Sequence, residues 1–185
     1  MNFNDHSRLR GTHATLSPSN YHWINYSPEK MREVYLNRLA VERGTQMHEL
    51  AESMIRMGVP AQRSKHTFNM YVNDAIKFNL QPEVTLLYSS NCYGHADAID
   101  FRNGLLRIHD LKTGVTPAHM EQLEIYAALF CLEYGIDPRD IGIELRIYQS
   151  DDVLALEPDR ESTLELMDKI VESDQIIEEL KEANK

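Results

Sequence analysis

Asp97, Asp110 and Lys112 are the residues of this 185-residue chain whose types and spacing best support chemistry. Asp110 and Lys112 stand two apart in a segment that reads as a strand, so both project from one face. Asp97 lies on the preceding strand of a hairpin, where it can approach Asp110 across the ladder. Two carboxylates converging on a sheet surface make an oxygen-rich site suited to Mg²⁺ or Mn²⁺. A lysine beside them supplies a point charge for a phosphate or for developing negative charge. An Asp-x-Lys tripeptide on its own is mostly chance, and an ordinary ion pair on a solvated face is the plain alternative.

The elements that must position these residues are legible from period and punctuation. The first 26 residues are rich in Ser, Asn, His and aromatics and read as an irregular arm. Ser27–Pro28 marks a helix start, with Met31, Val34, Tyr35 and Leu39 at helical spacing, which predicts a first helix to about Val41. A second helix is expected from Thr45 to Gly58, stopped by Val59–Pro60. Phe68, Tyr71, Val72, Ala75 and Ile76 suggest a third. The period then changes. Val84–Tyr88, Ala96–Phe101 and Leu105–Leu111 read as strands, the last two joined through Asn103–Gly104, a strong hairpin signal. A helix from about Ala118 to Tyr134, an alternating strand over Ile141–Gln149 and a final helix complete the order. The capping-box pattern Ser162–Thr163–Leu164–Glu165 opens that final acidic helix, expected over about residues 162–183. One mixed α/β (α+β) domain covering residues 1–185 is the expected architecture.

The segments around the three residues form an ordered set. Arg43–Gly44–Thr45–Gln46–Met47–His48 precedes Glu49–Leu50–Ala51–Glu52, and Gly94–His95–Ala96–Asp97 comes next. Asp110–Leu111–Lys112 follows, and then Gln122–Leu123–Glu124–Ile125–Tyr126. This set resembles the RecB-like branch of the PD-(D/E)XK nucleases. That branch is marked by a Gly-Thr-x-x-His helix, a Gly-x-x-Asp strand, an Asp-x-Lys strand and a Gln-x-x-x-Tyr helix. His13–Ala14–Thr15–Leu16–Ser17–Pro18–Ser19 and Trp23–Ile24–Asn25 extend the likeness to phage-encoded RecB-like proteins. Many of those relatives carry a cysteine where Tyr26 stands here.

The resemblance implies a restriction-endonuclease-like core, a central mixed sheet flanked by helices. It further implies metal binding by His48, Asp97 and Asp110, with the Leu111 carbonyl as a further ligand. Lys112 would position the attacking water and stabilise charge at phosphorus. Gln122 and Tyr126 would line the DNA-facing side, and their i,i+4 spacing lets them act together. Glu52, four residues after His48, fits either a partner of that imidazole or a surface ion pair. Asp100 falls on the opposite strand face from Asp97 and reads as structural or as a partner of a ligand rather than a ligand itself, and His109 falls opposite Asp110. Arg8, Arg10, Arg32, Arg38, Arg43 and Arg56 are the candidate phosphate contacts.

Composition narrows the remaining classes. Apolar residues make up 42% and charged residues 26%, a globular balance. No apolar run reaches the roughly 18 residues a membrane span needs, and Met1–His6 lacks a basic region followed by an apolar one. The expected address is therefore the cytoplasm, that of a bacterial host if the gene is phage-borne. Two cysteines, Cys92 and Cys131, exclude a disulfide framework and a four-cysteine iron–sulfur cluster built from this chain. The net charge of −10 argues against a generic nucleic-acid coat protein. It is unevenly spread: residues 1–66 carry +3, residues 67–150 carry −5 and residues 151–185 carry −8.

Two functional classes stand from sequence. One is a Mg²⁺/Mn²⁺-dependent deoxyribonuclease acting in recombination, repair or processing, with exonuclease action favoured by the resemblance. The other is a nuclease-fold subunit that works by assembly with a helicase, a recombinase or a second copy of itself through its acidic C-terminal helix.

Overall fold

The computed structural model describes residues 4–184; the first three residues of the arm and of the N-terminal stretch read for a leader, together with Lys185, lie outside it. The chain falls into two compact units, Met1–Arg43 and Gly44–Lys185. In the first, the arm contains two 3₁₀ segments, Ser7–Leu9 and Pro18–Asn25. The Trp23 indole donates to the Ser17 carbonyl at 3.0 Å, and Arg38 donates to the Thr15 hydroxyl at 2.6 Å.

Helix α1 is Pro28–Met57, a single element where two were expected. Ser27 caps it as predicted, its hydroxyl accepting from the Lys30 N–H at 3.2 Å. Gly58, at φ 65°, ends it, with the Val59 N–H returning to the Met54 carbonyl. The helix does not break at Gly44, although glycine costs about 1 kcal/mol in a helix interior. Close approach explains why glycine stands there: a Cβ at Gly44 would lie 2.8 Å from the Thr113 hydroxyl oxygen.

The second unit continues with α2 (Thr67–Phe78), β1 (Gln81–Ser89), β2 (Cys92–Arg102), β3 (Leu105–Leu111), α3 (Glu121–Tyr134), β4 (Gly142–Gln149), β5 (Asp152–Leu156) and α4 (Arg160–Ala183). The five strands form one mixed sheet in the order β1-β2-β3-β4-β5, parallel between β3 and β4 and antiparallel elsewhere. This is the mixed α/β architecture expected, a central sheet flanked by helices and consistent with a restriction-endonuclease-like core. Asn103 and Gly104 both have positive φ and close the β2–β3 hairpin as their types demand. Helix α3 makes the crossover that a parallel pair requires.

Two hydrophobic layers cover the sheet. Leu86, Ala96, Ile108, Leu123, Ala127 and Ile147 pack on the α3 side, with Met167 and Ile170 of α4 against them. Ala51 and Ile55 of α1 join Tyr71, Val72, Ala98, Leu111 and Tyr148 on the α2 side. Strand β1 is one edge of the sheet, and its Leu87 N–H is taken by the Glu133 carboxylate at 2.8 Å. Strand β5 was not anticipated; Ser150 and Asp151, both at positive φ, turn the chain into it. Helix α4 starts two residues earlier than expected. Its cap is Asp159, which accepts from the Glu161 and Ser162 N–H groups at 3.1 Å each, in place of the Ser162 capping box. Among the described residues, no helix is long and apolar enough to cross a membrane.

The Gly44–Thr113 approach gives a testable cycle. In a Thr113→Ala background Gly44→Ala should stabilise the protein by about 0.5–1 kcal/mol, the helix-propensity gain. With Thr113 intact that gain should vanish or reverse. Urea unfolding of the four variants measures the coupling, and a full gain in both backgrounds would disprove the packing role.

Candidate metal centre

The site is built where β2 parts from β3. Their ladder runs from Arg102↔Leu105 to Ala98↔His109, and one more step of the same register would set Asp97 opposite Asp110. The Leu111 N–H donates to the Asp97 Oδ2 at 2.8 Å, so a side chain serves the amide just past the end of the ladder. The strand alternation slips at this point. Ala96 belongs to the α3-side layer, Ala98 to the α2-side layer and Ile99 to the α3 side again, whereas residues two apart on a regular strand share a face.

The facing strand is distorted at the same point, although the register stays in step across it. Glu83 sits between the pairs Pro82↔Ala98 and Val84↔Ala96 and has φ 53°. Such a conformation costs a non-glycine residue on the order of 1–3 kcal/mol and persists only where the surroundings impose it. Here Arg56 imposes part of it, donating to the Pro82 carbonyl at 3.1 Å and to Glu52 at 2.8 Å. A left-handed residue within a strand re-aims its own side chain. The consequence is that ligand atoms of His48, Glu83 and Asp97 lie within 4.8 Å of one another.

His48 comes from the half of α1 that turns Ala51 and Ile55 toward the core, three and seven residues on. Its Nδ1 stands 3.4 Å from Asp97 Oδ2. The Asp97 hydrogen bond raises the His48 pKa against the opposing effect of burial, and the charges of Asp97, Asp110 and Glu83 add to the rise. Burial also raises Glu83, helped by the charges of Asp97 and Glu52.

Asp110 is not one of the compact triplet. It is 3% exposed, and burial, then the charge of Asp97, pushes its carboxyl up to about 6 against the pull of Lys112 and His48. Lys112 Nζ lies 3.1 Å from Asp110 Oδ1 and 3.0 Å from Oδ2, yet Oδ2 receives no well-directed hydrogen bond. His48, Glu83 and Asp97 bring together an imidazole and two carboxylates, and Asp110 adds a buried oxygen with an unused lone pair outside that triplet, a donor set of the hard, oxygen-rich kind that divalent cations take. The residues therefore fit Mg²⁺ or Mn²⁺.

Lys112 is held on its other side by Gln122, whose Oε1 accepts at 2.8 Å, and Gln122 in turn donates to the Tyr126 hydroxyl at 3.3 Å. The i,i+4 pair expected from sequence thus forms, and it steadies the lysine. Gly94 is required by the same ring: a Cβ there would lie 2.7 Å from Tyr126 Cε1.

The other sequence candidates divide. Glu52 pairs with Arg56 at 2.8 Å, and Arg56 also donates to the Pro82 carbonyl beside Glu83. Arg38 is tied to Glu42 and Thr15 in the first unit. Arg43 is exposed on α1, also in the first unit. Leu111 enters the α2-side core with its side chain and offers the site its backbone. Asp100 is buried and paired with Arg102 at 3.0 Å, a structural role as read. His109 lies opposite Asp110 as expected, fully buried against Phe78 with its Nδ1 3.2 Å from the Tyr148 hydroxyl. Burial, then Arg146 and Arg107, lowers its pKa to about 3, so the ring is neutral. Glu83 is the residue that sequence reasoning missed. The sequence pattern starts the strand at Val84, and Pro82–Glu83 carries no motif.

No protein family, curated protein or solved structure matches this chain.

The raised Asp110 pKa has a sign. Between its ordinary value of 3.8 and about 6 the folded chain holds a proton that the unfolded chain has lost, so this group's contribution to stability falls as pH rises through that window. In EDTA, Asp110→Asn should match wild type near pH 4 and exceed it by about 1–3 kcal/mol at pH 7. Urea unfolding across the range tests this, and a gap that failed to widen with pH would refute it. Adding Mn²⁺ at pH 7 should stabilise wild type and leave Asp110→Asn less affected.

Proposed function

We propose that this chain is a metal-dependent DNA nuclease of the RecB-like PD-(D/E)XK type, hydrolysing phosphodiester bonds. The observation that carries the reading is the junction of the His48–Glu83–Asp97 triplet with the Asp110–Lys112 pair across a single hydrogen bond, Leu111 N–H to Asp97. Exonuclease action on DNA in recombination or repair is the form the sequence resemblance favours.

His48, Asp97 and Asp110 would hold Mg²⁺ or Mn²⁺, with Glu83 added to the set and the Leu111 carbonyl as the backbone ligand. The cation supplies a Lewis acid and lowers the pKa of bound water. Lys112 has three donors; Asp110 and Gln122 engage two, leaving one for a non-bridging phosphate oxygen. As water adds to phosphorus and the P–O bond to the leaving strand breaks, negative charge grows on those oxygens, and the ammonium stabilises it. Gln122 and Tyr126 keep the ammonium aimed at that position.

Purified protein incubated with end-labelled linear DNA should yield product with Mg²⁺ or Mn²⁺ and none with EDTA. Lys112→Ala should retain Mn²⁺ binding and lose about 10²–10³ in rate, as expected for removal of one donor to developing charge. Asp97→Ala should lose metal and cleavage together. Wild-type rates for Lys112→Ala would refute the assignment of the Asp110–Leu111–Lys112 strand, and wild-type rates for Asp97→Ala would remove the whole site.

A further inference from the structure

The hairpin that delivers Glu83 and Asp97 continues beyond them, and its outer half bears residues the metal centre does not use. Gly94 faces Tyr126 and Ala96 packs with the α3-side layer, so Tyr93 and His95 project from the opposite face. That is the face approached by the α1 segment carrying His48, since Ala51 and Ile55 of that segment pack in the α2-side layer. Directly across the ladder stand Thr85 beside His95 and Leu87 beside Tyr93. All four are exposed, Tyr93 at 58% and Leu87 at 49%.

These side chains form a built surface. His95 Nδ1 and the Thr85 hydroxyl are hydrogen-bonded at 2.8 Å, which fixes the imidazole. Tyr93 meets His95 edge to face with ring centroids 6.3 Å apart. His95 stands two residues from Asp97 on β2, so the ring borders the proposed cation site. An exposed tyrosine, a fixed imidazole and an exposed leucine in two cross-strand rows offer flat apolar area with polar edges. From Asp97 to Tyr93 is four residues, about 13 Å along the strand. DNA backbone covers that length in a few nucleotides.

We propose that this shelf stacks an unpaired base of a single DNA strand whose backbone runs into the metal centre, making the substrate a single strand or a frayed end. The proposal rests on the nuclease reading and adds to it the state of the substrate. Bases in a duplex are stacked on each other and cannot lie on a ring, whereas every unpaired base has a face to offer, so such a shelf selects strand state without reading sequence. The Thr85 hydroxyl and the His95 imidazole at its inner end suit a passing phosphate or sugar.

The test is fluorescence anisotropy with the full chain in EDTA, so that no strand is cut, using a labelled oligothymidylate and a blunt duplex of equal length. Wild type should bind the single strand more tightly than the duplex. Tyr93→Ala should weaken single-strand binding about 5- to 150-fold while leaving duplex binding unchanged. Tyr93→Trp should retain it, since a larger ring stacks as well. Scanning an abasic unit along the oligonucleotide should reproduce the loss at one position in wild type and at none in Tyr93→Ala. Equal affinity of wild type for both DNAs, an unchanged Tyr93→Ala, or an equal loss on the duplex would each overturn the shelf. The two readings fail separately: Tyr93-dependent binding without metal-dependent cleavage would sink only the nuclease, and cleavage indifferent to Tyr93 would sink only the shelf.

Discussion

The hydrogen bond from the Leu111 amide to the Asp97 carboxylate is the constraint on which the site depends. Leu111 is buried at the end of β3, where β2 has already turned away, and a buried amide without a partner would cost about 1–3 kcal/mol. Asp97 meets that need with one oxygen, and the bond fixes the carboxylate against the residue that separates Asp110 from Lys112. The same oxygen faces His48. One carboxylate therefore joins the end of a strand, a helix and the Asp-x-Lys segment. Its removal would loosen the backbone as well as subtract a ligand.

The opposite face of β3 supplies the rigidity that this arrangement needs. The Lys112 amide donates to the Tyr148 carbonyl on β4, which continues the parallel pairing one residue beyond β3. The Tyr148 hydroxyl donates to Asp74 of α2 at 2.8 Å and lies beside His109. Arg146 pairs with Glu144 at 3.0 Å and with Asp74 at 3.3 Å, so the charges under the sheet are mutually compensated. Burial, then Arg146 and Arg107, keeps the His109 ring neutral over the range in which Asp110 changes its own charge.

Much of this was legible in the sequence where one local signal decided the outcome. The Asn103–Gly104 turn, the alternating run of β4 and the Gln122–Tyr126 spacing all formed as their types require. The reading failed where a distant partner decided. Gly44 looked like a helix boundary because its packing against Thr113 is invisible from local propensity. Ser150–Asp151 adopts a left-handed turn without the glycine that announces one; Asp151 is also committed to the Thr67 amide and hydroxyl at the start of α2. Asp159 capped α4 ahead of a better-looking box. Glu83 was hidden for the most instructive reason. Its place in the triplet comes from a break in strand periodicity, and periodicity was the signal being read.

That break acts on the outside of the sheet too. Strand β1 is an edge, and a regular edge invites a strand from another molecule to add to it. Pro82 has no amide to offer, Glu83 is twisted out of extended conformation, and the Leu87 amide is already taken by Glu133. A visiting strand would lose successive rungs, because its carbonyls would find no free N–H at Pro82 or Leu87. The distortion that gathers His48, Glu83 and Asp97 thus also blunts the edge against self-association, so straightening it would risk aggregation along with loss of the triplet.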